Sequence, residues 1–156
     1  MLNEQFMKEA IRLSLENMQK NAGWPFGAVV VKDGKIVGRG RNQVTSSNDP
    51  TAHAEVVAIR DACKNLWTFD LDGCEIYTSC EPCPMCYGAI SRARINKIWY
   101  ANTEHDAADI GFDDSAFRED IKKEFTHRAI PVEQMSHDEA LEVFKAWTEK
   151  QDKIEY

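Results

Sequence analysis

The stretch "CEIYTSCEPCPMCYGAISRAR", residues 74–94, joins a predicted strand to a predicted helix. Its first part, "CEIYTS", is rich in strand-forming residues, and its second part has a proline where the first turn of a helix would lie. Cys83 and Cys86 are three residues apart at that helix start, so both sulfurs project from one side of the first turn. The chain therefore presents two thiols at the junction between a strand and a helix.

The same alternation of strands and helices extends over the whole chain. Asp33-Gly34 lies between two apolar runs in "GAVVVKDGKIVGRG", residues 27–40, which predicts a β-hairpin with a type I′ turn. "INKIWYA", residues 95–101, predicts a further strand. This order of elements predicts an α/β fold whose sheet is covered on both faces by helices.

Helices are predicted where capping residues precede an apolar stripe. The first would begin at Asn3 and end at Gly23, the next would begin between Pro50 and His53, and the last would begin at Ser136 in a capping box with Glu139. Their buried stripes are predicted to be, in order, Phe6, Ala10 and Leu13; Val56, Ile59, Cys63 and Leu66; and Ala140, Phe144 and Trp147.

Length and composition limit what the chain can do. Its 156 residues suit a single domain, 1–156, and the formal net charge of −7 argues against a nucleic-acid-binding surface and favours a small or neutral substrate. No apolar run has the length of a membrane span and the start does not resemble a signal peptide, so a cytoplasmic protein is expected. In that reducing setting, closely spaced cysteines are more often metal or catalytic residues than disulfides.

"HAE", residues 53–55, supplies what a metal bound by Cys83 and Cys86 would still need. His53 would add one nitrogen to the two sulfurs and leave a fourth position for water, which is the arrangement of a catalytic zinc site. Inside a regular helix His53 and Glu55 would face different directions, but at the first turn both can face one point. We therefore predict one Zn²⁺ per subunit, with Glu55 as the carboxylate that accepts and delivers a proton.

H-x-E followed by P-C-x-x-C is the pattern of zinc-dependent nucleobase deaminases. A C-x-x-C pair also occurs in redox sites and in structural zinc sites, where Cys80 would serve as a fourth ligand. Because Cys80 lies at the end of the predicted strand, before Pro82 and the helix, we expect it to pack beside the site instead. A non-catalytic, zinc-stabilised binding module remains an alternative, and it requires Cys80 among the ligands.

The chain resembles the cytidine-deaminase-like superfamily, and more narrowly the small bacterial guanine deaminases. The resemblance covers nearly the whole chain and rests on "PFGAVVVKDG", "NDPTAHAEVVAIRDACK", "YTSCEPCPMCYGAI", "GFDDS" and the C-terminal "EY". It implies a three-layer α/β/α fold with a central mixed five-stranded sheet. It also implies a homodimer in which a C-terminal segment, about residues 131–156, is exchanged between subunits.

The resemblance further implies which residues contact the substrate and move protons. The implied substrate-binding residues are Asn42, Phe26, Ala54, Cys83 and Tyr156. Asn42 would hydrogen-bond the purine, Phe26 would line or stack on it, the backbone N–H of Cys83 would steady the developing oxyanion, and Tyr156 would close the pocket of the partner subunit. Asp114 would be a second proton carrier beside Glu55. Judged by sequence surroundings alone, Asn42 belongs in a turn, Phe26 in the core and Asp114 in a solvated loop.

The implied reaction is hydrolytic deamination of guanine to xanthine and ammonia, in which a zinc-bound hydroxide attacks the ring carbon that bears the amino group. The alternatives are a tRNA adenosine deaminase and a deaminase of another aminated ring, such as cytosine or a modified purine. A tRNA enzyme needs a basic surface, whereas residues 131–156 contain seven acidic residues against three lysines. Arg92 departs from the family pattern, which has an aromatic residue at that position, and this favours the altered-substrate alternative if Arg92 lines the pocket.

Overall fold

A computed structural model of the chain describes residues 2–155, so the role expected of Tyr156 lies outside the described residues. The elements follow one another in chain order as α1 (Leu2–Gln19), β1 (Gly27–Lys32), β2 (Lys35–Arg41), α2 (Val44–Ser47), α3 (Ala54–Leu66), β3 (Cys74–Cys80), α4 (Pro84–Arg92), β4 (Lys97–Asn102), α5 (Glu104–Asp109), α6 (Ser115–Asp120), a 3₁₀ turn (Phe125–His127) and α7 (His137–Glu149). None of the helices in this range is both long and apolar enough to cross a membrane.

The strands form one mixed sheet in the order β2-β1-β3-β4, with β1 antiparallel to both neighbours and β3 parallel to β4. The mixed sheet is confirmed, but the expected number of strands is wrong, because residues 2–155 contribute four strands rather than five. The chain enters α5 directly after β4. There the Thr103 side chain accepts from the Asp106 N–H and the Asp106 side chain accepts from the Thr103 N–H, a capping box that starts a helix where the extended backbone of β4 ends.

The predicted hairpin between β1 and β2 is confirmed. Asp33 and Gly34 have φ angles of 49° and 72°, the two positive values that a type I′ turn requires. Lys32 pairs with Lys35 across this turn, so the hairpin loop has two residues.

The two faces of β1 pack against different helices. Val29 and Val31 face α1, where Phe6 and Leu13 are buried as predicted, and Tyr77 of β3 joins the same cluster. Ala28 and Val30 face the opposite way, into a cluster with Ala54, Ala58 and Ala62 of α3 and Ile90 of α4. The sheet is therefore covered on both faces, with α1 on one side and α3 and α4 on the other. The predicted ends of α1 were wrong, because Asn3 lies inside this helix and Gly23 lies beyond its last residue.

The buried face of α3 differs from the predicted stripe. Ala54, Glu55, Ala58 and Ala62 are its buried residues, while the predicted Val56, Ile59, Cys63 and Leu66 are half-buried.

Small residues allow the backbones of α3 and β2 to meet. A Cβ added to Gly40 would lie 2.0 Å from the Ala54 carbonyl oxygen, and one added to Gly38 would lie 2.5 Å from that of Ala58. The close approach holds the first turn of α3 against the sheet.

Residues after Asp114 form a second compact unit. None of its described residues, Ser115–Glu155, is buried, and the predicted buried edge of α7 is wrong because Phe144 and Trp147 are 72% and 45% exposed. The predicted capping box is absent as well. Ser136 precedes α7 with a positive φ of 53°, and its side chain makes no capping hydrogen bond.

We predict that Gly40→Ala destabilises the chain by about 3 kcal/mol or more, because its new methyl group would meet backbone atoms that cannot rotate away. Gly88→Ala is the matched control: nothing lies within 4 Å of its added Cβ, so it should stabilise α4 by roughly 0.5–1 kcal/mol. Urea unfolding of both variants and the parent measures the difference. Equal stability of the two variants would contradict the close packing of α3 on β2.

Candidate metal centre and active site

Two helix starts bring together the side chains of His53, Cys83 and Cys86. His53 is the residue before α3 and Cys83 the residue before α4; both have extended backbone, with ψ of 155° and 167°, and neither side chain caps its own helix. Both side chains are therefore free to face a common point. Pro84 occupies the first position of α4, where its missing N–H costs nothing.

The three donor atoms have the spacing of a tetrahedral metal site. His53 Nδ1 lies 3.6 Å from Cys83 Sγ and 3.5 Å from Cys86 Sγ, and all three atoms lie within 4.8 Å of one another. Zinc–sulfur bonds of about 2.3 Å and a zinc–nitrogen bond of about 2.0 Å, at a tetrahedral angle, separate nitrogen from sulfur by about 3.5 Å. One imidazole and two thiols in this geometry therefore fit Zn²⁺.

The thiols influence each other's ionisation. The pKa of Cys83 is lowered, chiefly by a hydrogen bond with Cys86 and secondarily by one with His53. The same contact with Cys83 raises the pKa of Cys86, and Cys83 is also the main cause of a raised pKa at His53. Thiolate is the form of cysteine that binds metals, so Cys83 is prepared as a ligand by its neighbours.

Glu55, the second residue of α3, places its carboxyl group beside the three donor atoms. Its side chain is buried, and burial is the main cause of its raised pKa. One carboxyl oxygen, Oε2, accepts from Cys86 Sγ at 3.4 Å, and the other, Oε1, accepts from Thr78 Oγ1 at 3.2 Å. His53 Nδ1 and Glu55 Oε2 lie 3.5 and 3.4 Å from the same atom, Cys86 Sγ, because His53 lies outside the regular helix.

Cys80 is not part of the metal group in the described part of the chain. It ends β3, is 6% exposed, and its thiol donates to the Thr103 carbonyl oxygen at 3.7 Å. Burial raises the pKa of Cys80 to about 11, so it stays a thiol at neutral pH. The binding-module alternative required Cys80 as a fourth ligand, and this geometry argues against it.

Asn42 and Phe26 lie next to each other beside the start of α3. The Asn42 N–H donates to the Phe26 carbonyl oxygen at 3.1 Å, and the next N–H, of Gln43, donates to the Ala52 carbonyl oxygen at 2.9 Å, just before His53. The Asn42 side chain is buried, and its Oδ1 accepts from the Val44 N–H at 3.2 Å. This bond orients the amide group.

The other residues considered for substrate contact, Asp114, Ala54 and Arg92, differ in burial and in their place in the fold. Asp114 is exposed at the end of the first unit, and its charge is one of the smaller causes of the raised pKa of His53. Ala54 is fully buried, with its carbonyl oxygen against Gly40. Arg92 is exposed on the last turn of α4, the helix end opposite the one that holds Cys83, and so does not line this site.

Several residues near the site escaped the sequence analysis. Phe112 packs edge-on against Phe26, with ring centroids 5.0 Å apart, and against Trp24 at 5.3 Å, so three aromatic rings lie together. Only the motif "GFDDS" could have indicated Phe112. Thr78 gave no signal, because a threonine inside a buried strand is an ordinary strand residue.

We predict that the purified chain binds one zinc ion and that Cys86→Ser weakens zinc binding by more than about 100-fold, because it removes a ligand rather than a supporting residue. Cys80→Ser is the matched control and should keep the metal, since Cys80 bonds to a backbone carbonyl. Metal analysis after competition with a chelator measures both. Loss of zinc from Cys80→Ser, or its full retention by Cys86→Ser, would contradict the assigned ligands.

Comparisons with known proteins agree with this geometry. The family model described as the cytidine and deoxycytidylate deaminase zinc-binding region matches residues 1–102. The guanine deaminase of Bacillus subtilis (strain 168) is 52% identical over 156 residues, the full length of both chains. Its X-ray structure superposes with a TM-score of 0.94 over 98% of each chain. The tRNA-specific adenosine deaminase of Aquifex aeolicus is 43% identical over 98 residues, which are 63% of this chain and 64% of that protein.

The matched region contains both halves of the metal group and the adjoining carboxyl group of Glu55. Its description as a zinc-binding region agrees with a donor set of one nitrogen and two sulfurs at zinc spacing. Fold, donor chemistry and full-length similarity thus lead to one conclusion. The chain belongs to the zinc-binding cytidine and deoxycytidylate deaminase family.

Proposed function

We propose that this chain catalyses the hydrolytic deamination of guanine to xanthine and ammonia. The observation that carries the reaction type is the buried Glu55 carboxyl group, 3.4 Å from one sulfur of a three-ligand metal group. The substrate is supported by the relatives: the similarity to a guanine deaminase extends over the full chain, whereas that to a tRNA-specific adenosine deaminase is confined to 98 residues.

The reaction replaces the amino group on a ring carbon by oxygen. Zinc held by His53, Cys83 and Cys86 would lower the pKa of a water molecule to about 7. Glu55 would accept one proton from the attacking water and deliver it to the adjacent ring nitrogen, while the water oxygen bonds to the carbon. The second proton of the water leaves with the amino group as the carbon–nitrogen bond breaks, and Asp114 delivers it. One water is consumed and one ammonia is released.

The residues beside the metal group would hold the purine. Asn42 hydrogen-bonds it through the amide that Val44 orients, and Phe26, supported by Phe112, provides an aromatic surface against its face. The backbone N–H of Cys83 steadies the oxyanion, and Ala54, which lies between His53 and Glu55 in the chain, is the remaining residue of the substrate-binding set. We propose these roles together with those of Glu55 and Asp114.

An ammonia-release screen tests the function. Guanine should be the preferred substrate among guanine, guanosine, adenine and cytosine, and an anticodon stem-loop RNA should release none. A chelated sample should be inactive and regain activity with Zn²⁺. Release from the RNA or from cytosine, without release from guanine, would identify a different member of the family.

We predict that Glu55→Gln lowers kcat by roughly 10²–10⁴-fold with the zinc content unchanged, because the amide keeps the shape but cannot carry the proton. Asp61→Asn on the same helix is the control, since Asp61 accepts from the Arg39 N–H at 2.8 Å and takes no part in the site; its kcat should stay within about twofold. Retained turnover in Glu55→Gln would exclude Glu55 as the proton carrier.

We also propose that the chain works as a homodimer whose C-terminal segments, about residues 131–156, are exchanged, so that the partner's Tyr156 closes the pocket. Four large apolar side chains of α7 are exposed in the isolated chain: Leu141, Val143, Phe144 and Trp147. Apolar clusters of this kind usually mark an interface between proteins. A second copy of the chain would cover them.

Light scattering of Phe144→Glu should show monomers where the parent shows dimers, while Lys145→Glu on the same helix, already exposed and charged, should stay dimeric. Complementation tests the exchange itself. The Glu55→Gln and Tyr156→Ala variants should each be impaired alone. In a mixed dimer, the Tyr156→Ala chain would supply an intact Glu55 and the Glu55→Gln chain would supply an intact Tyr156 to the same active site. No recovery of activity on refolding the mixture would contradict exchange.

A further inference from the structure

A buried hydroxyl group lies against the carboxyl group of Glu55. Thr78 is 2% exposed, and its Oγ1 lies 3.2 Å from Glu55 Oε1 and 3.0 Å from the carbonyl oxygen of Cys80. We propose that Thr78 is a positioning residue for the deamination: it anchors Oε1 of Glu55, so that Oε2 faces the metal group and the substrate. The inference rests on the proposed function of Glu55 as a proton carrier.

The two carboxyl oxygens have different surroundings. Oε2 lies 3.4 Å from Cys86 Sγ, so it is the oxygen next to the metal ligands. Oε1 points to Thr78 instead. A carboxyl group held at one oxygen cannot rotate freely about its last bond, and the other oxygen therefore keeps one direction.

Thr78 is a rigid anchor. It lies inside the sheet on β3, paired with Ala28 of β1 on one side and with Tyr100 of β4 on the other. A β-branched side chain on such a strand has few rotamers. Its hydroxyl group therefore has a fixed position relative to Cys83, which follows the same strand.

The hydroxyl group of Thr78 can keep its contact with Oε1 in both protonation states of Glu55. A threonine hydroxyl has one proton to donate and can also accept. It can donate to Oε1 when the carboxyl group is ionised. When Oε2 carries the proton, Oε1 is the carbonyl oxygen of the acid and still accepts from the hydroxyl group. The contact thus persists through a cycle in which Glu55 gains and loses a proton.

We expect Thr78→Val, which keeps the shape and removes the hydroxyl group, to lower kcat for guanine by about tenfold or more, because misdirected proton carriers lose rate rather than binding. KM should change by less than about threefold. Zinc content should stay at that of the parent. Thr78→Ser, which restores the hydroxyl group, should recover kcat to within about threefold of the parent.

Ser79→Ala is the matched control. Ser79 is a neighbouring buried hydroxyl residue on β3 that accepts from the Gly27 N–H at 3.0 Å, so its removal costs a buried hydrogen bond without touching Glu55. It should keep kcat within about twofold of the parent. If Thr78→Val does not fold, Thr78→Ala serves as the variant without a hydroxyl group, judged by its thermal unfolding.

A kcat in Thr78→Val within twofold of the parent, or a folded, zinc-containing Thr78→Ser that fails to recover, would overturn the assignment. A crystal structure of zinc-loaded Thr78→Val provides a reading that does not depend on activity: the Glu55 carboxyl group should turn from its parent orientation, and an unchanged orientation would also overturn the assignment. If the parent itself releases no ammonia from guanine, the proposed function fails, whereas the orientation of Glu55 still tests the anchor.

Discussion

The site depends on how closely the backbone of α3 approaches β2. A Cβ at Gly40 would lie 2.0 Å from the carbonyl oxygen of Ala54, so the first turn of α3 rests directly on the strand. That turn holds His53 and Glu55, while β3 leads to Cys83 on α4. Because metal–ligand distances tolerate only about 0.2 Å, a side chain at Gly40 would disturb the metal group from a position that contacts neither metal nor substrate.

Two of the glutamates, Glu9 and Glu55, lie in environments that shift their pKa values in opposite directions. Glu9 lies on the surface of α1, where hydrogen bonds, first from Arg12 and then from Arg39, lower its pKa to about 2. Glu55 is buried, and loss of hydration raises its pKa. A buried carboxyl group is costly unless it is hydrogen-bonded, and Thr78 and Cys86 each donate to one oxygen of Glu55. The surroundings thus favour the charged form of one glutamate and shift the other towards its neutral form.

The described chain leaves its last third open to solvent. The second unit has exposed apolar side chains along α7, and β4 is the sheet edge with Tyr100 52% exposed. Exposed sheet edges and apolar helix faces are features that proteins usually cover. The first compact unit, which ends at Asp114, contains the metal group of His53, Cys83 and Cys86 together with Glu55 and Asn42.

Local chemistry in the sequence determined the hairpin at Asp33-Gly34 and the two helix starts, because each is set by neighbours a few residues away. Two short motifs also identified the donor residues His53, Cys83 and Cys86, but only the fold brings these motifs, 30 residues apart, together. Tertiary structure alone decided which face of α3 is buried. The spacing of apolar residues predicted that Val56 and Ile59 would face the sheet. In the structure the alanines of α3 face it instead, because only small side chains allow the helix backbone to lie directly against Gly38 and Gly40 of β2. Tertiary structure likewise decided the pairing of Thr78 with Glu55, the number of strands in residues 2–155 and the exposure of α7. Such contacts join segments that are far apart in the sequence. Their free energy includes the entropy lost when those segments are brought together, which a local sequence pattern does not reveal.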